Sequence, residues 1–212
     1  MRPRALDLFC CQGGVSAGLA AAGFDVTGVD IEPQPRYPFR FVQADALLVD
    51  LHGYDFVWAS PPCQRFSVAT PRANREQYPD LIDAVRTRLK AAGGVPWVIE
   101  NVPGAPIRKD LTLHGRMFGL PLFRTRHFES NVLLLAPTTR PYPRDGSVEA
   151  NRRRSVPTEF LSLYGNFPGV ERARRVLGLP WMDQRGLAQC IPPQYAEFIG
   201  RQILGSSMRA AA

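Results

Sequence analysis

Two periodicities alternate along the first hundred residues. "ALDLFC", "FDVTGVDI", "FRFVQADAL", "YDFVWAS" and "VPWVIENV" are short apolar runs of strand length. Between them, "VSAGLAAAG" is a small-residue run and "YPDLIDAVRTRLKAAGG" carries its apolar residues at helical spacing. The first kind predicts strands and the second helices. Strands joined by crossover helices define an α/β chain with a doubly wound, mostly parallel sheet. Beyond residue 104 the rhythm loosens. "RTRHFESNVLLLA" predicts one more strand, and "GVERARRVLGLP" and "PPQYAEFIGRQIL" predict two closing helices. The prolines of the second stand where a first turn tolerates them. Residues 136–168 are rich in Pro, Gly and Arg and without period, and are expected as a surface excursion.

A chain of 212 residues suffices for one well-buried domain. Its 45% hydrophobic and 21% charged residues are an ordinary globular balance. No apolar run approaches the ~20 residues that span a bilayer. The N-terminus turns polar and Gly-rich too soon for a secretory signal. The expectation is a soluble, cytoplasmic protein, associated with a nucleoid or acting inside an infected host cell.

Charge adds a partner class. The net charge is +7 and the pI about 9.7, which points to a polyanion, most often nucleic acid. Lys90 and Lys109 are the only lysines, so arginine supplies nearly all of the positive charge. Its planar fork suits phosphates and guanine edges. Cys10, Cys11, Cys63 and Cys190 form no C-x-x-C or Cys/His cluster with His52, His114 and His127. No metal site is therefore expected, and the cysteines are read as free thiols.

One cysteine stands out by position. In "YDFVWASPPCQRFSVAT" the apolar run ends in Pro61-Pro62, which cannot donate to a sheet ladder, and Cys63 follows. It would project from the carboxyl end of a strand, the edge where open α/β sheets bind ligands. A structural cysteine would sit within the apolar run. At a rigid turn the residue reads as a nucleophile. The stretch from there to Tyr78, with Arg65, Arg72 and Arg75, reads as a mobile loop rather than an element. A second turn, "CQGG", places Gly13 and Gly14 between the first strand and helix, and Asp30 ends the second strand. Backbone approach at such a turn and an acid for ribose hydroxyls suit a nucleotide or adenosyl ligand. Asp45 adds a polar group on the same edge.

The order "DLFCCQGG", "VDIE", "ASPPCQRFS", "WVIENV", "RTRHF" and "AQCIPPQYAEFIG" resembles the cytosine-5 DNA methyltransferase family over nearly the whole chain. The resemblance implies a Rossmann-like methyltransferase fold, S-adenosylmethionine as cofactor (S-adenosylhomocysteine as product), no metal, and DNA as substrate. The target is expected to be a cytosine flipped out of duplex. Cys63 would attack carbon 6 of that cytosine, and Glu100 of "ENV" would serve its N3. Arg124 and Arg126 match two family arginines, placed on one face by strand alternation. The second would contact the cytosine O2 and steady the glutamate. Phe9, Gln12, Gly13, Gly14, Asp30, Ile31, Asp45, Pro62 and Gln189 would line the cofactor site. Gln64, Arg65, Arg72 and Arg75 would face DNA.

Three positions depart from the family's pattern: Cys11 replaces a glycine, Leu122 a glutamine and Gln189 an asparagine. The larger departure is size. The implied organisation is a catalytic and cofactor-binding core over 1–132, a reduced target-recognition region over 133–167, and closing helices over 168–212 that complete the core. The middle segment holds Arg140, Arg144 and the run Arg152-Arg153-Arg154, expected to meet phosphate. So short a region implies short or relaxed sequence preference, or reliance on a protein partner. The same chemistry on RNA, single strands or free nucleotides, and a non-catalytic DNA-binding relative, stay open as alternatives. So does the purpose, be it restriction-modification, protection from restriction or epigenetic marking.

Overall fold

The computed structural model of the protein describes residues 1–137 and 160–210. Its elements are β1 (Arg4–Leu8), α1 (Gly14–Ala22), β2 (Asp25–Asp30), β3 (Arg40–Gln43), β4 (Phe56–Ala59), α2 (Ile82–Ala91) and β5 (Trp97–Asn101). They continue with β6 (Leu111–Leu113), β7 (Arg126–Ser130), α3 (Val170–Leu177), α4 (Gln184–Gln189) and α5 (Pro193–Ala210). Short 3-10 turns occupy Arg72–Gln77 and Gly115–Phe118.

The seven strands form one sheet in the order β3-β2-β1-β4-β5-β7-β6. Pairings among β1 to β5 are parallel, whereas β7 runs antiparallel to both its neighbours. The central strands are buried along their length because both faces are covered, as a parallel sheet requires. On one face Val15 and Leu19 of α1 and Tyr195 and Ile199 of α5 pack with Trp58 and Phe128. On the other, Ile82, Val85 and Leu89 of α2 pack with Leu6, Leu8, Val57 and Ile99. The chain winds outward from β1 in one direction and from β4 in the other, so the switch point lies between them. A ligand crevice in an open α/β sheet opens there. The turn after β1 and the turn after β4 both leave from this edge: Cys10 N–H donates to the Val29 carbonyl at 3.0 Å and Ser60 N–H to the Leu8 carbonyl at 3.2 Å.

Several expectations need correction. The last strand is Arg126–Ser130 alone, since Asn131 turns the chain out of the sheet: its side chain accepts from Trp97 N–H and donates to the Val95 carbonyl. The stretch expected as loop up to Tyr78 contains the 3-10 turn Arg72–Gln77. The described end of the presumed surface excursion is core: Leu161, Leu163 and Phe167 are buried, and Leu161 bridges to Leu122. Strand β6 and helix α4 were not anticipated. Arg140, Arg144, Arg152, Arg153 and Arg154 lie outside the described residues, as does most of the presumed recognition region. Among the described residues, no helix is long and apolar enough to cross a membrane.

Candidate active site

At the carboxyl edge of β1, β2, β4 and β5 opens a cleft of about 1300 Å³ that reaches from the glycine turn to Cys63. Phe9, Gln12, Gly14, Asp30, Ile31, Asp45, Pro62, Cys63, Gln64, Glu100, Arg124, Arg126 and Gln189 border it, with Arg72 and Arg75 at its rim. Residues expected from well-separated stretches of sequence thus meet in one place.

The glycine-turn end is shaped mainly by backbone. Gly13 sits at φ +87°, the left-handed region, and serves as N-cap of α1. Gly14 is a close approach: a Cβ there would stand 2.5 Å from Cys190 Sγ and 2.7 Å from the Ile191 carbonyl. Phe9 and Cys11 are also left-handed, at φ +63° and +45°, without glycine's freedom. Cys11, at the position where the sequence departs from glycine, donates its N–H to Asp30 Oδ2 at 2.9 Å. Asp30 Oδ1 accepts from Glu32 N–H at 3.0 Å, so the acid that ends β2 is fixed by two backbone donors. Asp45 accepts the Leu47 N–H at 2.8 Å. Ile31 is 66% exposed, a large apolar side chain open to the cleft. Gln12 ties the turn to α4: its carbonyl accepts from Trp181 Nε1 at 2.8 Å and its side chain from Asp183 N–H at 3.0 Å. Gln189, the last residue of α4, is exposed on the cleft wall.

The cysteine end is built from buried charge. Glu100 is 4% exposed near the end of β5, and Arg126 at the start of β7 holds it with Nε 2.8 Å from Oε1. Antiparallel pairing puts these residues at the same sheet edge, in register through Glu100 with Phe128 and Asn101 with His127. Burial, above all, raises the Glu100 pKa, while Arg126, the Ser60 hydroxyl and Arg124 pull it down. Ser60 is itself oriented by Trp58 Nε1 at 2.8 Å. Arg124 lies before β7 rather than on it, so strand alternation does not place it. Its guanidinium instead donates to the Leu163 and Ala188 carbonyls at 3.1 and 2.7 Å, and burial lowers its pKa. Both arginines nonetheless border the cleft.

Cys63 is half-buried, and its carbonyl accepts the N–H groups of Phe66 and Ser67, which curls the chain just beyond the thiol. Burial pushes the thiol pKa up; Arg126 pulls it down, Glu100 pushes it up and Arg124 pulls it down. The Pro61-Pro62 turn has a strut that the sequence reading passed over: Asn101 Nδ2 donates to the Pro61 carbonyl at 3.0 Å, and its Oδ1 accepts from Val102 N–H. Asn101 was quoted within "ENV", and its completely buried amide is what signals the role. Arg65 and Arg75 donate to the Tyr78 and Thr70 carbonyls, so these two cations brace the segment after Cys63. All four cysteines are free thiols. Among the described residues no group of three His, Cys, Asp or Glu could hold a metal ion.

No protein-family model matches the chain. The type II methyltransferase M.XorII of Xanthomonas oryzae pv. oryzae is 31% identical over 127 residues. That match covers 51% of this chain and 30% of the relative, so the chain spans less than a third of the curated protein it resembles. Among solved structures, the S. pombe Dnmt2 methyltransferase superposes with a TM-score of 0.62 at 14% identity, covering 97% of this chain and 99% of the other. The Entamoeba histolytica methyltransferase EhMeth gives a TM-score of 0.60 at 11% identity with the same coverage. The chain therefore has the Rossmann-like α/β fold of these methyltransferases.

Proposed function

We propose that the protein is an S-adenosylmethionine-dependent DNA methyltransferase that modifies carbon 5 of a flipped cytosine through a covalent Cys63 adduct. The observation that carries this reading is the convergence of Cys63, Glu100 and Arg126 in one cleft with the glycine turn and Asp30. The type II methyltransferase relative is consistent with it.

The residues at the glycine-turn end fit the donor. Gly14 borders the cleft at the head of α1, Asp30 retains free lone pairs for ribose hydroxyls, and Ile31 offers an apolar face for a purine. When bound, S-adenosylmethionine supplies an electrophilic methyl group. The protein's task is to make a poor nucleophile, carbon 5 of cytosine, reactive. Cys63 Sγ forms a bond to carbon 6, and the ring π-electrons shift toward carbon 5 and N3. Glu100, protonated more readily because it is buried, holds a proton at N3 as that charge develops. Arg126 fixes the carboxyl and presents cationic hydrogens to the O2 edge. After carbon 5 takes the methyl group, its own proton leaves, the carbon 5–carbon 6 double bond re-forms and the carbon 6–sulfur bond breaks. The thiol is regenerated. Because burial holds the Cys63 thiol above its ordinary pKa, transfer is expected to speed up as pH rises toward that value.

A cytosine within a stacked duplex cannot present carbon 6 to a protein thiol, so the base must be extruded. Gln64, Arg72 and Arg75 border the cleft, and with Arg65 on the same segment they would meet the displaced strand. The deciding experiment is transfer of labelled methyl from S-adenosylmethionine to duplex DNA, single-stranded DNA and RNA, with wild type and Cys63→Ser. Label in duplex cytosine, abolished by the substitution while donor binding persists, is the expected result. Label confined to RNA or single strands would replace the substrate. No label on any of the three, with donor bound, would overturn the enzymatic reading.

A further inference from the structure

One group at the cleft floor has no part in the chemistry above. Asp7 lies inside β1 with 0% exposure and borders the cleft at its glycine-turn end. Its Oδ2 accepts a hydrogen bond from Ser16 Oγ of α1, and Ser16 Oγ is in turn 2.6 Å from the Tyr37 hydroxyl. Its Oδ1 has no hydrogen-bond partner among the described residues. A buried carboxyl oxygen without a partner is uncommon and needs a reason.

The surroundings narrow that reason. Asp30 on β2 and Glu100 on β5 act on Asp7 as further acids, and Tyr37, Cys10 and Cys11 face it with hydrogens that are hard to remove. Burial first, then the Asp30 and Glu100 charges, raise the Asp7 pKa to about 7 against the pull of Ser16. None of these groups is a cation. A carboxyl so placed carries a proton at mildly acidic pH and loses it when positive charge arrives within a few ångströms, because a low-dielectric floor transmits that charge well. The ligand class that answers is a cation in the turn end of the cleft.

We infer that Asp7 is the buried counter-charge for the cationic methyl donor, a positioning residue that gives up its proton when the donor binds and thereby favours donor over product. The inference rests on the donor proposed above. S-Adenosylmethionine carries a sulfonium and an α-ammonium; S-adenosylhomocysteine lacks the sulfonium, and 5′-methylthioadenosine lacks both. Asp7 therefore distinguishes S-adenosylmethionine from S-adenosylhomocysteine by charge, where their shapes differ by one methyl group; 5′-methylthioadenosine, which lacks the whole amino-acid chain with its ammonium and carboxylate, is the uncharged reference. Balance is simple: one proton passes from Asp7 to solvent as one cation enters, and returns when the neutral thioether is left. Tyr37 and Ser16 keep the carboxyl in place through both states.

The test is isothermal titration of the full chain with each of the three ligands, in buffers of different ionisation enthalpy, at several pH values. Below about pH 7, S-adenosylmethionine is expected to release close to one proton, with affinity rising by up to tenfold per pH unit and levelling above. Release should be smaller for S-adenosylhomocysteine and near zero for 5′-methylthioadenosine. Asp7→Asn, close to isosteric, should abolish the release and narrow the preference for the cation. Ser16→Ala removes a hydroxyl that lowers the Asp7 pKa, so it should move the onset of linkage to higher pH, and it serves if Asp7→Asn does not fold. Tight donor binding without proton release, or release unchanged in both variants, would overturn the inference and leave the proposed function standing. No binding by any of the three ligands would overturn both.

Discussion

The two ends of the cleft meet different demands by different means. At the glycine-turn end three acids, Asp7, Asp30 and Asp45, border the cleft beside Gln12 and Arg185, and two of the acids are fixed by backbone N–H donors. At the cysteine end, acid and base are interlocked: Glu100 with Arg126, and Arg124 with two carbonyls. Under the proposed function the first end has only to hold a cationic ligand, and turns with acids that lack a salt-bridge partner among the described residues suffice for that. A site that must shift charge during a reaction needs groups whose ionisation is set by buried partners. The difference predicts where substitutions hurt folding and where they hurt binding.

The largest effect should come from breaking the interlock. Arg126→Ala leaves the Glu100 carboxyl buried without its cation, which costs about 3–5 kcal/mol of stability. Its sign with pH is fixed. The Glu100 pKa is already raised in the folded state, and losing Arg126 raises it further, so the folded variant gains from protonation. Its stability is best at low pH and falls as pH rises through that value. Urea midpoints taken at about pH 5 and about pH 8 should show a deficit that widens at the higher pH. A deficit independent of pH would mean the pair is held by packing alone.

Next in size is the acid at the opposite end. Asp7 is raised from 3.8 to about 7 by burial. Its contribution to stability is whole below its unfolded pKa and is lost as pH climbs through about 7. Asp7→Asn should flatten the stability profile across that window and leave the variant more stable above it, by a few kcal/mol. Chemical denaturation against pH reads this directly. A wild-type profile that is flat between pH 4 and 8 would show that Asp7 finds a partner in solution.

Asn101→Ala separates the ends more sharply. It frees the Pro61 carbonyl and removes a buried amide, a loss of about 1–3 kcal/mol. Because the Asn101 amide holds the Pro61 carbonyl of the Cys63 turn and the Val102 N–H beyond Glu100, both at the cysteine end, methyl transfer should fall while donor affinity holds. If donor affinity fell in step with transfer, the two ends would be one mechanical unit.

Much of this was legible in the sequence, for identifiable reasons. Strand-length apolar runs such as "FVWA" and "WVIEN" are continuous because both sheet faces are covered, and periodicity reports that cover. Cys63 could be located because two prolines end its strand. What escaped was set by tertiary partners. Helix α4 is six residues with an internal glycine, capped by Asp183 accepting from Gly186 N–H, and nothing in "QRGLAQ" has a helical stripe. Strand β6 is three residues whose pairing with β7 makes it a strand. Leu161, Leu163 and Phe167 stand among prolines and glycines without period, yet they reach the core. Arg124 sat in a plausible alternation with Arg126 and is placed by carbonyls instead. Asp7 was quoted inside "ALDLFC" and passed over, although a lone acid within an apolar run is a signal of the kind Cys63 gave.

The smallest prediction concerns the residue at which the glycine turn departs from its expected pattern. Cys11 occupies φ +45°, where a side chain costs about 1–2 kcal/mol. Cys11→Gly removes that strain. It also adds conformational freedom to the unfolded chain, worth roughly 0.5–1 kcal/mol in the opposite sense, and it gives up the packing of a half-buried thiol. The sum should be a change within about 1 kcal/mol. Because the Cys11 N–H to Asp30 bond belongs to the backbone, it survives the substitution. Donor affinity should therefore stay within a few-fold of wild type, in contrast to the loss expected for Asp7→Asn. If Cys11→Gly instead weakened donor binding tenfold or more, the thiol itself would be a ligand contact. The turn end would then depend on side chains as much as the cysteine end does.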